Sequence, residues 1–306
     1  MNRAEKEVNM NQVSEVLTTL IHYNVAVRDT LEYCLRKDEF DINLFKEKKR
    51  SILIEVDQHT PLKDIIDHSG ENGEKLEKQI RDFYENVFGE KATVLKLADD
   101  GVRVDHNQHA EIFKGVLPIH ESINGIILSG ISEGKKNFEA AQTDEEKAQH
   151  DVSEVEKVWL AEDRFFRGVA FAALVNDLIR FFEDYQVARR EEAQNGGTAA
   201  ASTFIGKDIE ETIRQISFVR QTAHEIDPIY KNMEDKIGQL VEMMIGRRQV
   251  PAGKRIPDIY REVQETVNLY IRDQEAAFRA CYPQLINTFL EAIKQDNVKI
   301  ADAPAA

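Results

Sequence analysis

The chain has 306 residues, 42% of them hydrophobic and 31% charged, enough apolar material for two cores or one elongated bundle. Its formal charge of -15, from 55 acidic against 40 basic side chains, argues against nucleic acid or an anionic membrane surface as main partner, since both need a basic face. Only 15 glycines and 7 prolines interrupt it, which favours long helices.

Residues 5–37 place Val13, Leu17, Leu20, Val27, Leu31 and Cys34 on a stripe that advances by three and four, with Asn24 in the one polar slot. This spacing predicts a long helix. Blocks 40–57 and 72–89 read as shorter amphipathic helices, with a small helix between them that starts at Pro61 behind a Thr60 cap; His68–Gly73 reads as a polar loop. Ala92–Val104 alternates around Asp100-Gly101 like a β-hairpin, and the alternative is a helix end capped by Gly101. Helix returns over 106–142, interrupted at Pro118 and loosened by Gly115, Gly125, Gly130 and Gly134.

From Asp144 to Gln194 no proline intervenes, so one long helix is expected, ended by Asn195-Gly196-Gly197. The next helix carries the clearest pattern of the chain: Ile209, Thr212, Ile216, Val219, Ala223, Ile226, Tyr230, Met233, Ile237, Leu240 and Met244 form a 3-4 ladder, with a kink expected at Pro228. A last helix, Pro257–Lys294, has Ile259, Val263, Val267, Tyr270, Ala277, Cys281, Leu285 and Phe289 on one stripe. The expected fold is therefore all-α: an elongated antiparallel bundle of three to four long helices over 144–296, an N-terminal helical subdomain over 1–143 with one small hairpin, and a disordered tail over 297–306. Cys34 and Cys281 share no redox or metal spacing, and together with the absence of a secretory leader or an apolar span they point to reduced thiols in the cytoplasm.

Recognisable chemistry is sparse. None of the eight histidines follows a glutamate by three residues, which removes a ferritin-like di-iron site, and only His150 and Glu154 have the spacing of a hemerythrin-like one. His106, His109 and His120 are the remaining metal candidates, as imidazole ligands near the Pro118 break. His150-Asp151 has the form of a phosphohydrolase dyad, but in a highly polar setting. Gly130-Ile-Ser-Glu-Gly134 has the form of a nucleophile elbow around Ser132, without the parallel sheet that would strain it. Asp99-Asp100 with Asp105, and Asn176-Arg180-Asp184, loosely resemble the metal-binding motifs of class I terpenoid synthases; Arg180 stands where a hydroxyl residue is expected. The Gly- and Ile-rich segment 115–131 has the composition of the apolar heads of some pore-forming helical toxins.

Polar residues inside apolar stripes carry more weight. Glu162 lies on the core side of its helix, Asp177 and Arg180 sit one turn apart in an apolar stretch, and Asn24 and Gln274 occupy stripe positions. They are expected to set helix register, or else to line an internal site or a subunit seam. The leading expectation is a soluble, non-catalytic interaction or assembly protein without a cofactor, packing with copies of itself or a protein partner, with no nucleic acid and no membrane. The alternative is an all-helical enzyme or small-ligand binder that uses this polar layer or the acidic clusters.

Overall fold

A computed structural model describes residues 16–29, 39–40, 61–88, 95–98, 101–104, 109–195, 207, 209–214 and 228–301. The class is all-α. The helices are α1 (16–29), α2 (Pro61–His68), α3 (Gly70–Phe88), α4 (His109–Ala140), α5 (Asp144–His150), α6 (Ser153–Asn195), α7 (Pro228–Met244) and α8 (Ile256–Ala301), with a further helical segment at 209–214. A small antiparallel sheet of β1 (Glu39–Phe40), β2 (Leu95–Ala98) and β3 (Gly101–Val104) is the only β-structure among the described residues.

The hairpin reading of 92–104 holds: Leu95 faces Val104 and Ala98 faces Gly101, so Gly101 opens a strand and does not cap a helix. β1 pairs with the other edge of β3, giving the order β1-β3-β2. Phe40 is thus in a strand; the rest of the helix expected over 40–57 lies outside the described residues.

Four long helices enclose the main core, and their contacts give its topology. Leu17 of α1 lies over Gly130 of α4, and Asn24 over Asn124, so rising numbers on one helix meet falling numbers on the other. The same reversal relates α4 to α6 through His120–Asp163 and Gly134–Val152, and α6 to α8 through Phe165–Phe278 and Asn176–Gln264. Neighbouring helices are therefore antiparallel. At 43 and 46 residues, α6 and α8 each extend roughly 65–70 Å at 1.5 Å per residue. Buried apolar residues run continuously from Leu17 on α1 to Leu285 on α8 and cross the 143/144 division.

Several boundaries differ from the sequence reading. The His68–Gly73 loop is a single corner at Ser69, whose hydroxyl donates to the Ile65 carbonyl (2.6 Å), so α3 starts at Gly70. Pro118 does not interrupt α4: its missing N–H removes one backbone bond, and buried Val116, Leu117 and Ile119 on either side hold the helix in place. The helix expected from Asp144 is instead two. Thr143 and Glu146 form a reciprocal capping box that starts α5, and the Asp151 carboxylate accepts from the Ser153 amide (2.9 Å), restarting the chain as α6.

α8 begins at Ile256 and continues through 297–301, part of the segment expected to be a disordered tail. Its stripe turns at Ala277, which is exposed while Phe278 points inward. The 3-4 ladder is seen at its two ends. Ile209 and Thr212 are buried, as are Met233, Ile237, Leu240 and Met244 on α7, which starts at Pro228; residues 215–227 lie outside the described residues. α7 packs against α8 and also touches α6, and α4 lies beside α6 as well. Cys281 is a buried free thiol; Cys34 lies outside the described residues.

Gly130 and Gly134 of α4 tighten the packing where loosening was expected. A Cβ at Gly130 would stand 2.8 Å from Leu17 Cδ2, and one at Gly134 would stand 2.7 Å from Val152 Cγ1. These contacts also account for the Gly-x-Ser-x-Gly spacing, since Ser132 is an exposed residue in mid-helix. Replacing Gly134 with valine is expected to cost about 1–3 kcal/mol of unfolding free energy. Gly125→Ala, at an exposed helical position with open space around it, should gain about 0.5–1 kcal/mol. Urea denaturation of both variants checks the pair.

Candidate functional site: a buried polar layer

At mid-height of the bundle, α1, α4, α6 and α8 meet in a layer of polar and aromatic side chains. Asn24, His120, Asn124, Glu162 and Arg167 are fully buried, and Arg28 and Asp163 are 4% exposed. Local helix geometry assembles it. Asn24 and Arg28, His120 and Asn124, and Asp163 and Arg167 are each four residues apart, so each pair lies on one face of its helix and presents two polar groups inward. Glu162 and Asp163 are adjacent in sequence, about 100° apart around α6, and engage different neighbours.

Asp163 organises one half. Its Oδ1 accepts from His120 Nε2 (2.9 Å), Asn124 Nδ2 (2.8 Å) and Arg167 Nε (3.1 Å), and Arg167 Nε also reaches Oδ2 at 3.0 Å. Arg167 extends to Glu121 (3.1 Å). The Asn124 carbonyl accepts from Trp159 Nε1 (2.9 Å) and Asn24 Nδ2 (3.2 Å), so one amide ties α1, α4 and α6 together. Burial pushes the Asp163 carboxyl upward, but the His120 hydrogen bond and the Arg167 charge outweigh it and hold the group well below the ordinary aspartate range. A carboxylate surrounded by donors stays ionised.

Glu162 organises the other half. It accepts from Arg28 Nη1, while Arg28 Nη2 reaches Asp29 at 2.9 Å. The Arg28 guanidinium lies 4.0 Å from the Phe165 ring centroid and 4.8 Å from that of Phe278, held between α6 and α8 by two aromatic faces. Three buried atoms here make no hydrogen bond: Glu162 Oε1, Arg28 Nε and Asn24 Oδ1. Burial pushes the Glu162 carboxyl up to about 8; the Arg28 charge opposes this and the charges of Asp29 and Asp163 add to it. The protonated form of Glu162 is thereby favoured well above the ordinary glutamate range. At the margin, Tyr282 of α8 stacks on Phe278 with centroids 4.7 Å apart and shares a 2.6 Å hydrogen bond with His22 Nδ1. Burial, then the Glu162 charge, pushes this phenol up to about 12.

Of the residues singled out by sequence, Asn24 and Glu162 meet in this layer. Gln274 is half-buried on α8 and takes no part in it. Asp177 and Arg180 belong to α6, but their side chains lie outside the description. His120 is in the layer as a partner of Asp163, its ring stacked on Phe166 at 3.6 Å. His106 and the His109 side chain lie outside the described residues, and among those described no group of three or more histidines, cysteines and carboxylates could hold a metal ion. Sequence reasoning missed Arg28, Asn124, Asp163 and Arg167, although three i,i+4 polar pairs inside apolar stretches were the signal that could have found them.

His120–Asp163 has the form of an activating dyad set in the interior. The imidazole is wholly buried against Phe166, and the Ser122 hydroxyl of the same helix donates to Gln79 (2.7 Å). The chemistry of this half is positional: it fixes which turn of α4 faces which turn of α6.

Replacing Asp163 with alanine should cost about 3–5 kcal/mol, because the Arg167 charge and the His120 and Asn124 donors lose their shared acceptor in the interior. Since the folded carboxyl lies below its unfolded value of about 3.8, its contribution is complete above that value and is lost as the pH falls through and below it. The stability gap between wild type and Asp163→Asn should therefore narrow on acidification below about pH 4, measured by urea titration across pH. No family model, curated protein or solved structure matches the chain.

Proposed function

We propose that this chain is a non-catalytic helical interaction or assembly protein, whose long helices present surface to a second copy or to a protein partner. The observation that carries this reading is the distal part of α6. Beyond Leu178 the helix is no longer buried all round: Ile179, Phe181, Phe182 and Tyr185 are half-buried and Val187 is 50% exposed. Exposed charges of both signs follow, Glu183 and Asp184 before Arg189 and Arg190. A half-covered apolar stretch with a charged margin suits a helix–helix contact, in which the apolar centre supplies affinity and the rim supplies selectivity.

The polar layer supports the non-catalytic part of the reading. Its groups are mostly satisfied by one another, and the dyad within it is closed off from solvent. No helix among the described residues is long and apolar enough to cross a membrane, and a reducing, cytoplasmic setting fits the buried free thiol of Cys281. A small-ligand role is the second reading, favoured by one observation: the unbonded Glu162 Oε1, Arg28 Nε and Asn24 Oδ1.

Multi-angle light scattering over a wide concentration range tests the first reading. Reversible self-association is expected, weakened at least tenfold by Val187→Asp, because a charge placed in the apolar centre of a contact is desolvated without a partner. A strict monomer at every concentration would overturn self-assembly.

A further inference from the structure

The Glu162 half of the layer differs from the Asp163 half in one respect. Asp163 has donors on both oxygens, whereas Glu162, equally buried, has Arg28 on one oxygen and nothing on the other. Arg28 is itself shared, since its second nitrogen reaches Asp29 at the solvent margin. An ionised Glu162 would thus be a buried charge with half a partner and one unsolvated oxygen.

The other charged and titratable groups around it do not relieve this. From α1 there are only Arg28 and Asp29, and from α6 the neighbouring Asp163, which adds a like charge. α8 offers Tyr282, whose phenol is committed to His22 and held upward by burial and by Glu162 itself. On α4, His120 binds Asp163 and Glu121 binds Arg167.

We propose that the seat of α1 is a protonation latch: the Glu162 carboxyl, buried against Arg28 with one oxygen unbonded, keeps α1 docked while it carries a proton and loosens α1 when it loses that proton. α1 is the element that yields. His22 on it is exposed, Val25, Ala26 and Asp29 are partly so, and its Arg28 donates to Glu162 across the α1–α6 contact. Undocking lets water reach both members of the pair and uncovers the inner face of Leu17, Leu20, Ile21 and Val27.

The direction follows from linkage. The docked state holds the proton with a pKa of about 8, and the undocked state lets it go near the ordinary glutamate value of 4.5. Docking is therefore strongest below the lower value, weakens as the pH rises between the two, and levels off above the upper one.

Hydrogen exchange of the full chain, read as protection corrected for the intrinsic rate at each pH, tests this. Between about pH 6 and about pH 8, protection of residues 16–29 should fall about tenfold per pH unit and then level off, while α4 and α6 keep theirs. In Glu162→Gln, which has no proton to lose, the α1 profile should be flat. If that variant does not fold, the levelling of the wild-type profile carries the test alone. Protection of α1 that stays constant or rises with pH would overturn the latch, as would the same fall in Glu162→Gln or an equal fall in every helix.

Discussion

The structure depends on keeping one carboxylate ionised in the interior. Asp163 is nearly inaccessible to water, and an unpaired charge at such depth would cost several kcal/mol. It is tolerated only because α4 delivers His120 and Asn124, and α6 itself delivers Arg167, to the same two oxygens. The requirement is geometric as well as energetic. If α4 slid along α6 by one turn, the acceptor would remain buried and its two α4 donors, His120 and Asn124, would be more than 5 Å away. Apolar stripes alone tolerate such a slip, since one leucine replaces another; this cluster does not. The same constraint reaches α1 through the Asn124 carbonyl, and from there α8 through the rings that hold Arg28.

The two halves of the layer treat burial in opposite ways. Around Asp163, donors are in excess and the charge persists. Around Glu162, donors are short and the proton persists instead. Adjacent residues of one helix thus have their carboxyls pushed in opposite directions, and their side-chain directions, set by the helical rotation between them, decide which environment each meets. Register is specified by Asp163, while Glu162 leaves a point of weakness beside an otherwise locked core.

Much of the fold was legible because it depends on periodicity. The stripes of α1, α6 and α8 appear in the sequence as three-four spacings, and the Asp-Gly hairpin as alternation around a turn. What failed were features decided by one contact between distant residues. Gly130 and Gly134 look like flexible points until Leu17 and Val152 are seen against them. The break at Asp151 looks like solvated helix until its carboxylate is found on the Ser153 amide. For the site, Glu162 and Asn24 could be read as polar groups on apolar stripes, but Arg167 could not be preferred over Arg180: both have an aspartate one turn or less before them, and only the arrival of His120 and Asn124 distinguishes Asp163. The partner lay 39 to 43 residues away on another helix, beyond the reach of local spacing.

The hydrogen bond from Trp159 to Asn124 has a practical meaning of its own. This is the chain's sole tryptophan, its indole nitrogen bonds to the amide that joins three helices, and its ring is almost wholly buried. Indole emission responds to the polarity and hydrogen bonding around the ring, so the intrinsic fluorescence of the unmodified protein reports on this junction, free of signal from any other indole. The molecule contains its own optical gauge at the place where its helices are fastened together.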